Sequence, residues 1–195
     1  MKLSGAGVEV AVDPSAGGRM SSLQIDGREL LVTSSDHAMT WGAYPMVPWA
    51  GRVRDGSFSW QGQAHQLSLG LPPHAIHGTV YEAPWDVDSE GVLTRDLGPE
   101  WPWSGYVASG FALEGDSLIW HLRVESADVP MPVVLGWHPW FLRDLGDGPV
   151  ELDFWAEKMY VRDETGIPVG EPQTPSDGPW DDCFCEMTSN PQLRW

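Results

Sequence analysis

The segment Tyr106–Glu125 reads YVASGFALEGDSLIWHLRVE and carries the clearest structural pattern in the chain. The turn-forming residues Glu114-Gly115-Asp116 divide it into two halves of similar length. In the second half, one set of alternate residues is apolar (Leu118, Trp120, Leu122 and Val124), and the other set is mostly polar (Ile119, His121, Arg123 and Glu125). This period of two is typical of a strand with one buried face, so the segment is predicted to be a β-hairpin.

Shorter segments on both sides of this hairpin repeat the pattern. Apolar residues alternate through Val8–Val12 and through Val150–Phe154, and a run from Met20 to Ile25 ends in the hairpin signal Asp26-Gly27. No window of comparable length has a helical period with caps. The 22 glycines and 17 prolines are scattered between these runs as turn residues are. The sequence therefore predicts an all-β fold, with residues 1–195 forming one domain.

The composition of the chain excludes some classes of binding partner and indicates a cellular location. A net charge of −17 argues against nucleic acid and against an anionic membrane surface, and it is compatible with a neutral small molecule. Cys183 and Cys185 lie too close together in sequence to bridge each other easily, which favours a reducing compartment. With no basic-then-apolar leader and no apolar run of membrane-spanning length, a cytoplasmic protein is predicted. The oligomeric state is not predicted.

Two histidines are candidates for acid–base chemistry. His77 ends the segment Pro72-Pro73-His74-Ala75-Ile76-His77-Gly78, where glycine lets the backbone approach a ligand. A histidine pair in a turn is also commonly just solvated, and His74 and His77 with a third histidine could instead bind zinc. His138 lies in Gly136-Trp137-His138-Pro139-Trp140-Phe141, an apolar setting that favours either a functional role or a hydrogen bond to backbone.

Three further residue types fit the handling of a polyhydroxylated ligand. Arg52 precedes the turn Asp55-Gly56 and can present a rigid fork of donors to a ligand. The same pattern is also expected of an ordinary surface arginine beside a hairpin. Asp181 lies among aromatic residues and can accept from hydroxyls, or can simply form a turn. Twelve tryptophans are many for this length, and Trp137 is among those beside a candidate site. Indole rings stack on the C–H faces of sugars, and they also fill sandwich cores.

Taken in order, these segments resemble the aldose 1-epimerase (galactose mutarotase-like) family from about Gly17 to the end of the chain. Arg52 matches the arginine of the family's Asn-Arg-Ile motif, with Gly51 and Val53 in place of the flanking residues. His77 matches the first active-site histidine, in a His-Gly motif. His138 matches the second, followed by Pro, an aromatic residue and Phe. Asp181 matches the aspartate of Asp-x-x-Phe.

The resemblance implies a large antiparallel β-sandwich, the galactose mutarotase-like supersandwich, and an isomerase that interconverts the α and β anomers of an aldohexose. His138 would protonate the ring oxygen, while His77 and Arg52 hold and polarise oxygens. Asp181 and Trp137 would bind the sugar. No metal or organic cofactor is implied.

One part of the family pattern has no match. The family's base is a glutamate in a late strand, and only Glu186 follows Phe184, without the expected context. The sequence is therefore expected to lack the C-terminal strands of the domain, unless a partner chain supplies the base or turnover is slight. Two alternatives stay open: a non-catalytic carbohydrate-binding protein, and a metal-dependent β-barrel enzyme that uses His74, His77 and His138.

Overall fold

The computed structural model describes residues 1–195, which form two compact units, Met1–Leu142 and Arg143–Trp195. Both consist of strands joined by turns and loops, and the only helical segments are short 3₁₀ turns at Pro14–Ala16, Ala38–Thr40 and Arg54–Gly56. None of these is long and apolar enough to cross a membrane. The predicted all-β class is confirmed. That both units belong to one domain stays a prediction.

The first unit contains fourteen strands. In chain order they are β1 (Lys2–Gly5), β2 (Val8–Asp13), β3 (Arg19–Ile25), β4 (Arg28–Glu29), β5 (Ala43–Met46), β6 (Arg52–Val53), β7 (Ser57–Trp60), β8 (Gln63–Gln66), β9 (Ala75–Ile76), β10 (Asp86–Val87), β11 (Leu93–Asp96), β12 (Gly105–Glu114), β13 (Ser117–Ser126) and β14 (Gly136–Pro139).

Two antiparallel sheets make up most of this unit. One has the order β1-β2-β3-β5-β14, with β4 paired to β3, and the other has the order β10-β11-β12-β13. The predicted hairpin is β12–β13, whose register runs from Tyr106 opposite Glu125 to Glu114 opposite Ser117. β6 pairs with β9, and β7 with β8, in separate two-stranded ladders.

A continuous apolar core joins the two sheets of the first unit. Val8, Val10 and Val12 face inward from β2, as their alternation predicts. They belong to the same buried cluster as Leu93 and Val107 of the second sheet, both fully shielded from solvent. Complete burial of each such side chain contributes roughly 1.5–3 kcal/mol. The two sheets thus form the predicted sandwich, and the structure of this unit depends on that shared core.

The second unit is smaller and more open. It contains β15 (Glu151–Asp153), β16 (Ala156–Arg162), β17 (Pro168–Gln173), β18 (Cys183–Met187) and β19 (Gln192–Arg194). The sheet β17-β16-β18 buries Met159, while β15 pairs with β19. Cys183 and Cys185 both lie on β18 and are free, so no disulfide forms.

Gly17 marks a close approach between two loops of the first unit. Its φ is +80°, and its N–H donates to the Ala83 carbonyl at 3.1 Å. A Cβ added at this position would lie 1.8 Å from the Tyr81 carbonyl oxygen, which is backbone and has little room to move. Only glycine fits here, because both the backbone conformation and the space exclude a side chain.

Gly17→Ala is therefore expected to lower the free energy of unfolding by about 2–4 kcal/mol, since it adds a backbone clash to an unfavourable φ. Gly27→Ala is the matched control, because Gly27 has nearly the same φ of +79° but no atom within 4 Å of the added Cβ. It should cost only about 1 kcal/mol. Urea denaturation of both variants measures the difference, and equal losses would show that the close approach does not matter.

Candidate functional site

His77 lies in a turn whose backbone is fixed on both sides. β9 pairs with β6, so that Arg52 is opposite Ile76, and the chain then turns through His77 and Gly78 with φ values of +59° and +85°. The Thr79 N–H donates to the Val47 carbonyl at 2.8 Å. A Cβ on Gly78 would lie 1.8 Å from that same oxygen, which explains the glycine of the His-Gly pair.

The left-handed conformation of His77 is costly for a residue with a side chain, about 1–3 kcal/mol. Two hydrogen bonds to Gly51 hold it there: the His77 N–H donates to the Gly51 carbonyl at 3.0 Å, and the Gly51 N–H donates to His77 Nδ1 at 3.3 Å. Because Nδ1 is the acceptor, the proton of the neutral ring is assigned to Nε2. His77 therefore presents an N–H donor to its surroundings.

His138 reaches the same place from a strand far away in sequence. β14 pairs with β5, which places His138 directly opposite Tyr44. The two rings stack with centroids 5.0 Å apart and an interplanar angle of 6°. The ring of His77 meets that of His138 edge to face, with centroids 5.1 Å apart. The structure therefore brings the two predicted histidines together against one fully buried tyrosine.

The electrostatics of the pair favour a neutral His77. Burial, the largest cause, lowers the pKa of His77 from 6.5 to about 4 together with the positive charges of the neighbouring His138 and Arg52. Arg52 is thus close enough to act on His77, as its pairing with Ile76 requires. Near neutral pH the ring of His77 is therefore uncharged, and its Nε2–H can donate a hydrogen bond.

The two tryptophans beside His138 lie in different surroundings. Trp140 is two residues along the chain and stacks on His138, with ring centroids 5.6 Å apart and an interplanar angle of 23°. Trp137, the predicted sugar-stacking residue, packs against Trp120 with centroids 5.7 Å apart. Successive side chains of a strand point to opposite faces, which separates Trp137 from His138. Trp140 is the indole that joins the histidine pair, and the i, i+2 spacing could have identified it.

Arg19 is a residue of this region that sequence reasoning missed. It lies on β3, is 1% exposed, and donates through its guanidinium to the carbonyls of Ala16, Ala38, Trp41 and Tyr81 at 2.7–3.0 Å. Its Cζ lies 4.2 Å from the centroid of the Trp41 ring and 5.4 Å from that of Tyr44. An arginine in a strand of mixed polarity gives no sequence signal of such burial.

His74, the third histidine of the metal-binding alternative, has a different environment. It is 3% exposed, and its Nδ1 accepts from the Asp55 N–H at 3.0 Å. Asp55 has a φ of +52° in the turn that follows Arg52, so this bond fixes the backbone beside the arginine. No group of three or more His, Cys, Asp or Glu side chains is arranged to hold a metal ion.

Asp181 belongs to the second unit. Its carboxylate is largely exposed and pairs with Arg162 Nη1 at 3.2 Å, while Asp182 accepts from Arg162 Nε at 3.0 Å. Glu186, the one glutamate after Phe184, pairs with Lys158 Nζ at 3.1 Å. The sugar-binding role of Asp181 stays a prediction.

Comparison with known proteins identifies one family model and one curated relative. The family model described as aldose 1-epimerase matches residues 3–183. The uncharacterized Escherichia coli protein YphB is 32% identical over 104 residues, which cover 50% of this chain and 36% of that protein.

Solved structures share the fold. A galactose mutarotase-like protein from Clostridium acetobutylicum superposes with a TM-score of 0.78 at 18% identity, over 90% of this chain and 61% of the other. A putative aldose 1-epimerase from Escherichia coli gives 0.77 at 24% identity, over 90% and 62%. Galactose 1-epimerase from Lactobacillus acidophilus gives 0.72 at 23% identity, over 89% and 57%. The chain thus spans about three fifths of the length of these structures.

The depressed pKa of His77 predicts a pH-dependent stability. As pH falls below 6.5, the unfolded chain takes up a proton on this histidine that the folded chain does not accept until about pH 4. The free energy of unfolding should therefore fall as pH drops through that window. His77→Gln, which cannot be protonated, should show a shallower fall in urea denaturation, and side-chain NMR should place the wild-type titration near 4. A His77 titration near 6.5 would contradict the geometry.

Proposed function

This chain belongs to the aldose 1-epimerase family, and we propose that it binds an aldose at the His77–His138 pair and interconverts the α and β anomers of that sugar. The observation that carries the proposal is the edge-to-face contact of the two imidazoles, 5.1 Å between centroids, with Arg52 acting on the same group. A neutral histidine, a second histidine in contact with it and one arginine suit a substrate whose reacting atoms are oxygens bonded to carbon.

His138 is the proposed general acid. It donates a proton to the ring oxygen as the bond between that oxygen and C1 breaks, while a carboxylate removes the proton of the anomeric hydroxyl and C1 becomes a carbonyl carbon. Rotation about C1–C2 and closure on the other face give the second anomer, with both protons returned. Positioned acid–base groups of this kind contribute roughly 10²–10⁴-fold to a rate. No residue of this chain is assigned to the carboxylate base.

His77 and Arg52 are the proposed binding groups for the sugar oxygens. A histidine with a pKa of about 4 stays neutral in the working range, so its Nε2–H can donate to an oxygen without adding charge beside His138. Arg52 adds a permanent positive charge where negative charge develops on oxygen. In this proposal His77 holds the sugar and His138 transfers the proton.

An aromatic ring and a carboxylate are the remaining groups proposed to bind the sugar. Trp140 is 36% exposed and stacks on His138, so its ring is available to the apolar face of a pyranose. We assign it the stacking role in preference to Trp137, which packs against Trp120. Asp181 is the proposed acceptor of sugar hydroxyls by its match to the family motif. A net charge of −17 favours an unphosphorylated aldose.

A second candidate function is carbohydrate binding without turnover. It is favoured by one observation: the acid and binding groups match the family pattern, while Glu186 is engaged with Lys158 and lacks the context of the family's base. Such a protein would keep the histidine pair for hydrogen bonding alone. A cytoplasmic location is proposed for either function, on the free state of Cys183 and Cys185.

Polarimetry of freshly dissolved α-D-glucose or α-D-galactose tests the proposal, with calorimetric binding of the same sugars measured alongside. We expect wild-type protein to speed mutarotation, and His138→Gln to lower the rate by about 10²–10⁴-fold with little loss of affinity, since a proton donor is removed and the oxygen-binding groups remain.

His121→Gln is the matched control, because His121 is exposed on β13 and should leave both quantities unchanged. Binding without acceleration would support the second candidate function. Absence of both binding and acceleration would overturn the proposal, and equal effects of His138→Gln on rate and affinity would exclude the acid role.

A further inference from the structure

The guanidinium of Arg19 is buried without a carboxylate among its hydrogen-bond acceptors. All four acceptors are backbone carbonyls, those of Ala16, Ala38, Trp41 and Tyr81. Burying a charged group costs free energy unless its N–H donors have acceptors and its charge is compensated. The loops that carry these carbonyls must therefore be accurately placed. Four carbonyl dipoles and the faces of Trp41 and Tyr44 supply that compensation.

Two of these bonds hold the ends of one short loop. Nη1 of Arg19 donates to the Ala38 carbonyl at 2.7 Å and to the Trp41 carbonyl at 3.0 Å. Between those residues lies the 3₁₀ turn Ala38–Thr40, whose middle residue is Met39. One guanidinium nitrogen therefore fixes where the Met39 carbonyl points.

The Met39 carbonyl accepts hydrogen bonds from the two rings that stack on His138. The indole Nε1–H of Trp140 donates to it at 2.6 Å, and the hydroxyl of Tyr44 donates to it at 3.4 Å. Both rings stack near-parallel on the imidazole of His138, with interplanar angles of 6° for Tyr44 and 23° for Trp140. The Trp140 backbone is tied to the same region, because its N–H donates to the Gly42 carbonyl at 2.8 Å.

We propose that Arg19 is a positioning residue for His138: it fixes the loop Ala38–Trp41 and the ring of Tyr44, and through them sets the plane of the imidazole and the place of Trp140. The proposal concerns the same site as the proposed function and rests on it for its catalytic consequence. A loosened loop would leave His77 in place, because His77 is held by Gly51 instead. Arg19 should therefore affect His138 more than His77, whose ring meets that of Tyr44 only edge to face, with centroids 6.1 Å apart.

Arg19→Lys in the full chain tests this, because lysine keeps the charge but cannot reach four carbonyls in a planar fork. Hydrogen exchange of the Trp140 indole N–H should speed up at least about tenfold, and the imidazole signals of His138 should shift and broaden. The indole N–H of Trp85, which donates to the Val80 carbonyl at 3.1 Å, is the reference within the same unit and should keep its rate. His77 should still titrate near 4.

Arg95→Lys is the matched control. Arg95 lies on β11 of the same unit, and its Nη1 donates to the carbonyl of Pro84 at 2.8 Å. It should leave both indoles and His138 unchanged. If Trp140 and Trp85 speed up equally in Arg19→Lys, the arginine is a general stabiliser and the proposal is overturned. No change at Trp140 or His138 overturns it as well.

If Arg19→Lys does not fold, hydrogen exchange of the wild-type protein tests the link between Arg19 and Trp140. In low concentrations of urea, the Nε–H of Arg19 and the indole N–H of Trp140 should exchange through one opening event, with the same dependence on urea. Exchange of Trp140 by an opening that leaves Arg19 protected would refute the link between them.

These readouts need neither sugar nor turnover, so a failed mutarotation assay leaves them intact. If the wild-type protein is active, Arg19→Lys should lower kcat about tenfold and raise KM by a smaller factor, since the stacking ring of Trp140 moves together with His138 while His77 and Arg52 still hold the sugar oxygens.

Discussion

The pairing of β5 with β14 is the constraint on which the site depends. It joins residues about ninety positions apart and places His138 opposite Tyr44, the fully buried ring on which that imidazole stacks. β5 also pairs with β3, so the strand beside His138 belongs to the same sheet as β2, whose valines lie in the core. Sites built on strands hold their geometry better than sites on free loops, because packing fixes each rotamer.

Two histidines in contact would repel each other if both were charged, and the fold avoids this by giving them different surroundings. His77 occupies a left-handed turn in which Gly51 donates to Nδ1, and burial keeps it neutral. His138 lies between aromatic rings on a strand. Groups whose environments differ in this way can take different roles in proton transfer. The strained turn at His77 is a local cost that the surrounding hydrogen bonds have to support.

Sequence reasoning recovered what local periodicity and motif order can determine. The hairpin β12–β13 follows from alternation alone, and the glycine after His77 signalled a close backbone approach. The proposed preference for Trp140 over Trp137 follows from alternation along the strand, because Trp140 lies two residues from His138 and Trp137 only one. Arg19 could not be predicted, because its four carbonyl acceptors come from three separate loops that only the folded chain assembles.

A single aldose site at His77 and His138 is the proposal on which every assigned residue role depends. Its most direct test is a side-chain NMR titration of the full chain with D-galactose at neutral pH. With one shared site, the Nε2 signals of His77 and His138 and the indole signal of Trp140 should move together on one saturable curve, while the exposed His37 and His121 stay fixed as internal references. Saturable binding that moves Trp137 or residues after Leu142 and leaves both histidines unchanged would contradict it.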